Sequence, residues 1–345
     1  MSQGRKNEHL KICAEMDVEF RDKTTLLEHV QLIHAALAEI SYDEISTETR
    51  FMGRTLRAPL LISAISGGVQ SAQALNRDLA KAAQKLGIGF CLGSQRPMLD
   101  DPKRIGSYQV RRYAPDVPIL GNIGIQQAAE VPLKDIERLV TSVEADGLAV
   151  HLNPAQELSQ AEGDKRFPDG CAMLRKLTKR LPGRIMVKET GCGISREVGA
   201  TLKRAGVQVL DTAGAGGTSW TRVERLRSGM KPSERTWLDE WGIPTAASLM
   251  DIAPLGLTTV ASGGLRTGND AAKCLLLGAD VCGMALPVLR AYSKGGYNGV
   301  LSFFHGVIRE LKTVMLLVGA KDIAALKRHK PVITGELKAW VNRKR

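Results

Sequence analysis

Eight short apolar runs recur along the 345-residue chain, and segments with helical spacing of apolar residues follow most of them. The runs occupy residues 58–65, 87–93, 117–124, 147–153, 184–190, 207–214, 257–264 and 280–287. Near-continuous apolar strands that alternate with helices indicate a parallel sheet covered on both faces. Eight such units predict a closed α/β barrel of the (β/α)8 type, the TIM barrel. An open doubly wound sheet is the alternative, although it would normally show a G-x-G-x-x-G after the first strand, which is absent here.

The predicted helices and the regions outside the repeat define the domain organisation. Amphipathic helices are expected at 76–87, 132–145, 195–206 and 267–279. We predict a single domain because no low-complexity linker interrupts the chain. Its predicted parts are an N-terminal extension (1–57) with a helix near 24–38, a barrel (58–320) with an insertion at 219–256 between strands six and seven, and a basic C-terminal tail (321–345).

The net charge of +12 favours an anionic partner. Aromatic residues make up only 4% of the chain, which offers no stacking platform for nucleic-acid bases and favours a phosphorylated small molecule. The six cysteines form no C-x-x-C pair, as expected for reduced thiols in the cytoplasm. No apolar run reaches the ~18 residues of a membrane span. We therefore expect a cytoplasmic protein without nucleic-acid or membrane partners.

Glycine-rich loops follow strands six and seven, and strands seven and eight are the usual phosphate-binding side of this fold. The segment 262–268 brings the amides of Gly263 and Gly264 and the charge of Arg266 to the start of a helix. The segment 213–220 adds more glycines and the hydroxyl of Thr218. Two adjacent loops of this kind predict a mononucleotide-type cofactor. The alternative is that these glycines only make tight turns.

Three polar residues at other strand ends are candidates for cofactor contacts. Lys188 ends strand five, where an ammonium group would stabilise the negative charge of a reduced flavin. Asn122 ends strand three and Ser94 ends strand two. Both could bond a flavin ring or a substrate, although residues of these types also commonly cap loops.

The stretch "HLNPAQE" at 151–157 carries the candidate catalytic side chains. Strand alternation places His151 and Asn153 on one face, and Gln156 and Glu157 follow directly. One carboxylate among amides suits Mg²⁺ held mainly through phosphate and water. Gln156 can orient a group or relay a proton but cannot titrate. Proton transfer is therefore expected from His151 or from the cofactor, which points to cofactor-centred chemistry.

Together these motifs resemble the type 2 isopentenyl-diphosphate isomerases, an FMN-dependent family, over residues 5 to about 320. The matching segments include "RKNEHL" (5–10), "GSQR" (93–96), "HLNPAQE" (151–157), "VKETGCGIS" (187–195), "DTAGAGGTSW" (211–220) and "ASGGLRTG" (261–268). Two departures are mild. The segment 66–69 reads "SGGV" where the family usually has "TGGT", and "QAEGD" at 160–164 replaces "QPEGD".

The resemblance implies interconversion of isopentenyl and dimethylallyl diphosphate by a 1,3-allylic proton shift, with reduced FMN, NADPH as reductant and Mg²⁺. It also implies a homo-oligomer, a tetramer or octamer. Glu157 would be the metal ligand. Gln156, His151 and Asn153 are the expected catalytic residues. The implied substrate contacts are Arg5, Lys6, Ser94, Gln95, Arg96 and Gln156. The implied FMN contacts are Ala64, Ile65, Ser66, Ser94, Asn122, Lys188, Thr218, Gly263, Gly264, Arg266, Ala285 and Leu286.

Two other functions stay open at this stage. One is an FMN-dependent oxidoreductase of the hydroxy-acid oxidase or IMP dehydrogenase type. The hydroxy-acid oxidase type needs a histidine base late in the chain, where only His305 and His329 occur. The IMP dehydrogenase type needs a nucleophilic cysteine, for which Cys192 is the candidate. The other function is a basic phosphate- or nucleic-acid-binding protein.

Overall fold

The computed structural model describes residues 3–167 and 169–343, and a closed eight-stranded parallel barrel forms their core. The strands are β1 (Val30–Gln31), β2 (Thr49–Phe51), β3 (Arg54–Leu56), β4 (Leu60–Ile62), β5 (Gly89–Cys91), β6 (Ile119–Gly124), β7 (Gly147–His151), β8 (Ile185–Lys188), β9 (Val209–Asp211), β10 (Thr258–Ser262), β11 (Val281–Met284) and β12 (Val332–Ile333). The barrel runs from β4 to β11 in chain order, and β11 pairs with β4 through Gly283 and Leu61. All eight predicted strands are confirmed, and this closing pair makes the open-sheet alternative wrong.

Helices surround the barrel and cover its mouth. They are α1 (Gln3–Glu15), α2 (Gln70–Leu86), α3 (Arg96–Asp100), α4 (Ile125–Glu130), α5 (Leu133–Thr141), α6 (Pro154–Ser159), α7 (Gly170–Arg180), α8 (Arg196–Arg204), α9 (Trp220–Arg227), α10 (Thr245–Ile252), α11 (Gly268–Leu276), α12 (Leu286–Leu317), α13 (Ile323–Arg328) and α14 (Gly335–Asn342). Short 3-10 helices lie at Leu27–His29, Tyr42–Glu44, Pro102–Ser107, Arg111–Tyr113, Trp237–Glu240 and Ala253–Leu255. The four helices expected from periodicity are confirmed as α2, α5, α8 and α11. Within the described chain, none of the helices has the length and apolar character of a membrane crossing.

Local signals in the sequence explain where these helices begin and end. Gly87 adopts a left-handed conformation (φ 68°) and ends α2. The Ser195 side chain accepts a hydrogen bond from the Val198 amide at the start of α8. Thr267 and Asp270 form a reciprocal capping box at the start of α11. These signals fix the end of α2 and the starts of α8 and α11.

The interior of the barrel is built in layers, because every second residue of a strand points inward. The lower layer takes one apolar residue from each strand: Leu61, Cys91, Leu120, Ala149, Met186, Val209, Val260 and Val281. Phe51 of the β2–β3 hairpin packs against this layer. Two residues further along each strand, the upper layer consists of Ser63, Gly93, Asn122, His151, Lys188, Asp211, Ser262 and Gly283. The change from apolar to polar marks the floor of a site.

The prediction of a helix near 24–38 is wrong, because this segment contains only a 3-10 turn at Leu27–His29 and the two-residue strand β1. The hydroxyls of Thr24 and Thr25 accept hydrogen bonds from the Leu26 and Leu27 amides, which competes with helix formation. Leu26 also has a left-handed backbone (φ 59°). The helix of the N-terminal extension is instead α1, whose sequence lacks an amphipathic pattern.

The segment expected as a basic tail is folded as far as residue 343. Strand β12 pairs antiparallel with β1, with Val30 opposite Ile333. Helices α13 and α14 bury Leu326 and Leu337 completely. Of the basic residues that suggested a solvated tail, Arg328 and Lys330 are exposed, whereas Lys327 pairs with Asp280 and Arg343 with Asp251. The expected insertion is present and holds α9 and α10.

Candidate active site

A cavity of about 230 Å³ opens at the carboxyl ends of the barrel strands. Its floor is the upper layer of the barrel. Every residue of that layer except Asp211 lines the cavity. Its roof is α1, which contributes Arg5, Lys6, His9, Leu10 and Cys13. The predicted site residues that line it are Arg5, Lys6, Ala64, Ile65, Ser66, Ser94, Asn122, His151, Asn153, Gln156, Glu157, Lys188, Thr218, Gly263, Gly264, Arg266, Ala285 and Leu286. The structure therefore brings together every predicted site residue except Gln95 and Arg96.

The two glycine-rich loops pack directly on each other at one end of the cavity. Gly263 and Gly264 have φ values of 99° and 80°, which favour glycine. A Cβ atom on Gly263 would collide with the backbone of Gly214, and one on Gly217 would collide with the backbone of Gly264. Close loop packing is therefore one reason for the glycines, and the loops still present Thr218, Gly263 and Gly264 to the cavity.

The start of α11, which the sequence suggested as a phosphate site, is capped by the protein itself. The amides of Arg266 and Thr267 both donate to Asp270 Oδ2 at 3.0 Å, and the Gly268 amide donates to Glu310 at 2.8 Å. The Arg266 guanidinium forms an ion pair with Glu19. An anion at this end would therefore meet the loop glycines and the Arg266 side chain rather than free helix amides.

His151 is held as a neutral hydrogen-bond acceptor. Asn122 Nδ2 donates to the Leu92 carbonyl oxygen at 3.0 Å, so Asn122 Oδ1 is left to accept from His151 Nδ1 at 2.8 Å. The proton therefore lies on Nδ1 and Nε2 keeps its lone pair. Burial, reinforced by the charges of Lys188 and Lys6, lowers the pKa of His151 to about 3. At neutral pH this side chain can accept a hydrogen bond but is a poor proton donor.

Asn153, Gln156 and Glu157 form a connected group at the entrance to α6. Asn153 Nδ2 donates to Glu157 Oε1 at 2.9 Å and to Gln156 Oε1 at 3.3 Å. The other Glu157 oxygen accepts from the Asp164 amide at 2.9 Å. Asn153 Oδ1 is buried without a donor. Among the described residues no three His, Cys, Asp or Glu side chains cluster to hold a metal ion, so the protein would supply only a few oxygen ligands.

Glu224 of α9 is the central residue that sequence reasoning missed. Its Oε1 accepts from Gln156 Nε2 at 2.9 Å and from Gln160 Nε2 at 2.8 Å, and lies 3.1 Å from His9 Nε2. Its Oε2 accepts from Arg227 Nε at 2.8 Å. Burial opposes ionisation, but the nearby His9 and the bonds from Gln156 and Arg227 outweigh it and hold the pKa of Glu224 at about 2. The charge-rich stretch "WTRVERLR" after the second glycine loop was the available signal.

The α1 cations reach into the cavity from above. Arg5 is buried, and its Nη1 donates to Gln160 Oε1 at 2.8 Å. Lys6 Nζ donates to the carbonyl oxygens of Gly67 and Ser94 and lies 3.5 Å from the Tyr108 hydroxyl. Burial, followed by the charges of Arg5 and Arg104, lowers the pKa of Lys6 to about 7.

Two predicted substrate residues do not reach the cavity. Gln95 is fully buried, where its Oε1 accepts from the Asn122 amide at 2.9 Å and its Nε2 donates to the Leu139 carbonyl oxygen at 2.8 Å. It therefore joins β5 to β6. Arg96 begins α3 and is half-buried, and its side chain makes no hydrogen bond or ion pair with any other described residue.

The side chains required by the oxidoreductase alternatives are not at the cavity. His305 is exposed on α12, and His329 follows α13. Cys192 faces a smaller pocket beside Trp241, and burial raises the pKa of its thiol. Neither a late histidine base nor a reactive thiolate is therefore in position.

The sequence matches a known family and several named relatives. The FMN-dependent dehydrogenase family model matches residues 3–100 and 240–332. The chain is 42% identical to the isopentenyl-diphosphate delta-isomerase of Methanothermobacter thermautotrophicus, over 100% of this chain and 97% of the relative. It is 40% identical to the enzymes of the same name from Pyrococcus abyssi (98% and 94%) and Archaeoglobus fulgidus (98% and 98%).

Two solved structures of oxidoreductases share the fold at low sequence identity. A mutant flavocytochrome b2 with benzoylformate has a TM-score of 0.72 at 17% identity, covering 96% of this chain and 84% of that one. A lactate oxidase of Pediococcus acidilactici has a TM-score of 0.70 at 16% identity, covering 96% and 93%. These similarities establish the barrel architecture.

Proposed function

The chain belongs to the isopentenyl-diphosphate delta-isomerases within the FMN-dependent dehydrogenase family, and we propose that it interconverts isopentenyl and dimethylallyl diphosphate by a 1,3-allylic proton shift. The observation that carries the proposal is the composition of the cavity. Its floor offers the Asn122 amide, a histidine held neutral and one lysine, α6 and its entrance add further amides, and the roof offers two cations. This composition suits a diphosphate substrate and cofactor-centred chemistry better than side-chain acid–base catalysis.

The cavity residues fit FMN. Lys188 and Arg266 provide positive charge at the floor and at the glycine loops, and the hydroxyl of Ser63 is buried without a partner in the floor. Reduced FMN, when bound, supplies an electron-rich ring able to exchange a proton with the alkene. The residues proposed to hold it are Ala64, Ile65, Ser66, Ser94, Asn122, Lys188, Thr218, Gly263, Gly264, Arg266, Ala285 and Leu286. NADPH is the proposed reductant.

Glu157 and Asn153 fit a magnesium ion that is bound mainly through the substrate. Mg²⁺ prefers oxygen ligands and commonly takes only one or two carboxylates from a protein. Glu157 offers a buried carboxylate, and the unpartnered Asn153 Oδ1 lies in the same group. We propose that this pair holds the ion, which would neutralise part of the diphosphate charge.

The side chains of the protein have distinct proposed tasks. Arg5 and Lys6 bind the diphosphate and close the cavity to water. Arg96 adds positive charge near the proposed diphosphate site. It lies two residues after Ser94, whose carbonyl oxygen accepts a hydrogen bond from Lys6. Gln156, oriented by Glu224, places its amide beside the substrate. Gln95 is fully engaged between strands, so its role is to hold that strand end in place.

We also propose a cytoplasmic homo-oligomer, a tetramer or octamer. Trp237 and Trp241 are 74% and 57% exposed and stack edge to face with ring centroids 5.7 Å apart. Exposed aromatic surface of this kind favours association. All six cysteines are free, which fits a reducing compartment.

The purified holoprotein tests the function directly. We expect a flavin absorption spectrum and, after anaerobic reduction by NADPH, conversion of isopentenyl to dimethylallyl diphosphate that requires Mg²⁺ and stops on reoxidation. Proton NMR would follow both diphosphates. A flavin-containing, reduced protein that leaves isopentenyl diphosphate unchanged in the presence of Mg²⁺ would contradict the proposal.

A further inference from the structure

Asp211 is the one carboxylate in the upper layer of the barrel. It is completely buried at the end of β9 and lies beneath the cavity rather than on its surface. In the β8–β9 pairing its Cα lies opposite that of Lys188. Side chains at paired positions on adjacent strands share a face, so the carboxyl and the ammonium group belong to the same interior layer.

The carboxyl group is fixed by one oxygen only. Asp211 Oδ1 accepts from Ser262 Oγ at 2.6 Å and from the Ala213 amide at 3.2 Å. Asp211 Oδ2 is buried without a hydrogen-bond partner. An unsatisfied carboxylate oxygen in a barrel interior is costly, and the proposed isomerisation steps do not use it. Its presence therefore calls for a function.

The surroundings leave Lys188 as the partner charge. His151 is neutral, and burial raises the pKa of the Cys91 thiol to about 12, so neither carries charge at neutral pH. Burial also raises the pKa of Asp211, against the opposing effects of the Lys188 charge and the bonds from Ser262 and Ala213. Lys188 itself donates to the Glu189 carbonyl oxygen at 2.5 Å and makes no ion pair within the described chain. The Glu189 carboxyl also interacts with the Lys188 charge; it accepts from the Thr190 and Cys192 amides, and burial raises its pKa to about 7. Because Glu189 is unchanged in every variant below, its titration is common to the potentials that are compared.

We propose that Asp211 is a positioning residue for the cofactor: its buried carboxylate offsets the Lys188 ammonium, so that the pair sets the charge presented to reduced FMN. The inference rests on the proposed placement of FMN above Lys188. A bare ammonium would stabilise the anionic reduced flavin more strongly than a partly balanced one. Asp211 would therefore keep the bound flavin more strongly reducing.

The midpoint potential of bound FMN in the holoprotein tests this. Asp211→Asn should shift the midpoint potential to a more positive value by about 30 mV or more. For a two-electron couple this corresponds to a tenfold change in the reduction equilibrium constant. Lys188→Met should shift it in the opposite direction. The Asp211→Asn shift should grow as pH rises, because the carboxylate that the substitution removes is more fully ionised at alkaline pH.

The matched control is Asp239→Asn, which removes a buried carboxylate paired with Arg225 outside the barrel and should leave the potential unchanged. An unshifted potential in Asp211→Asn, with Lys188→Met shifted, would overturn the role of Asp211. An unshifted potential in Lys188→Met would instead overturn the placement of FMN.

The double variant covers the case in which Asp211→Asn does not fold. Removing both charges avoids an uncompensated buried ammonium. We expect Asp211→Asn/Lys188→Met to fold and to have a potential more positive than that of Lys188→Met alone. A double variant that also fails to fold, or that matches Lys188→Met, would show Asp211 to be purely structural.

Discussion

At the scale of single residues, the contacts of each ionisable side chain decide its charge in this cavity. Burial and neighbouring cations keep His151 neutral, with a pKa of about 3. Hydrogen bonds keep Glu224 ionised despite burial, with a pKa of about 2. The pKa of Lys6, about 7, lies within the working range of an enzyme. Its charge is therefore sensitive to changes in pH.

The Lys6 shift predicts a pH dependence of substrate capture. The free enzyme holds the ammonium below about pH 7 and loses it above that value. Charge-assisted bonds to a diphosphate need the charged form, so kcat/KM should fall as pH rises through this value. Lys6→Arg keeps its charge at every accessible pH and should flatten the alkaline limb. Superimposable profiles of kcat/KM against pH for the two proteins would count against the assignment.

Glu157 and Glu162 offer a matched pair for the metal proposal. Glu157 is 7% exposed beside Asn153, whereas the Glu162 side chain is 49% exposed and pairs with Arg227. Glu157→Gln should lower kcat about a hundredfold or more, since metal charge stabilisation is worth several kcal/mol, while bound FMN is retained. Glu162→Gln should be much milder. Loss of flavin together with activity in Glu157→Gln would make this residue structural; Mg²⁺ titrations of turnover would separate the two cases.

At the scale of elements, α1 shows a helix that depends on its partners. Its sequence has no apolar stripe, and it packs against α9 and α12 instead of forming a layer of the barrel. Arg290 of α12 donates to the carbonyl oxygens of Cys13 and Met16 near its end. Side chains of α1 thereby close the cavity, and we regard this helix as part of the substrate site.

Truncation tests the role of α1. Deleting residues 1–8 removes Arg5 and Lys6, and charge-assisted contacts are worth about 1.5–3 kcal/mol each. KM for isopentenyl diphosphate should therefore rise at least tenfold, since about 1.4 kcal/mol is one decade. FMN content should not change, because the glycine loops follow β9 and β10, which the deletion leaves intact. Lys11→Ala, on the exposed side of the same helix, is the control and should behave as wild type. A truncated protein with normal kinetics would show α1 to be dispensable.

At the scale of the whole molecule, the N-terminal and C-terminal segments pair with each other beside the barrel. Strands β1 and β12 pair across the N- and C-terminal segments, and the Thr334 amide donates to the His29 carbonyl oxygen at 3.0 Å. Arg343 Nη2 binds Asp251 of α10 at 2.7 Å. The C-terminal segment is thus part of the fold and should contribute to its stability.

Two substitutions in the C-terminal segment test whether its buried side chains stabilise the fold. Leu337 is fully buried in α14, whereas Val332 is 47% exposed in β12. Leu337→Ala should cost about 2–5 kcal/mol of unfolding free energy, the usual cost for a buried leucine. Val332→Ala should cost far less. Thermal unfolding would measure both, and equal melting temperatures would mean that α14 does not pack on the barrel in solution.

The sequence by itself determined the barrel and most of the residues that line its mouth. Eight apolar runs were enough for the strands and their order, because parallel strands buried on both faces must be apolar and consecutive units must neighbour each other. The carboxyl ends of such strands converge, so residues as distant as Asn122 and Gly263 could be assigned to one site.

Only the tertiary structure decided which polar side chains serve the cavity and which serve the fold. Gln95 and Gln156 look alike in the sequence, yet one bridges two strands and the other bonds Glu224, 68 residues away. The roof formed by α1 and the folded C-terminal segment also depend on long-range contacts. Local patterns carry no record of such contacts, since the free energy that orders these segments comes from surfaces that meet only after the barrel has formed.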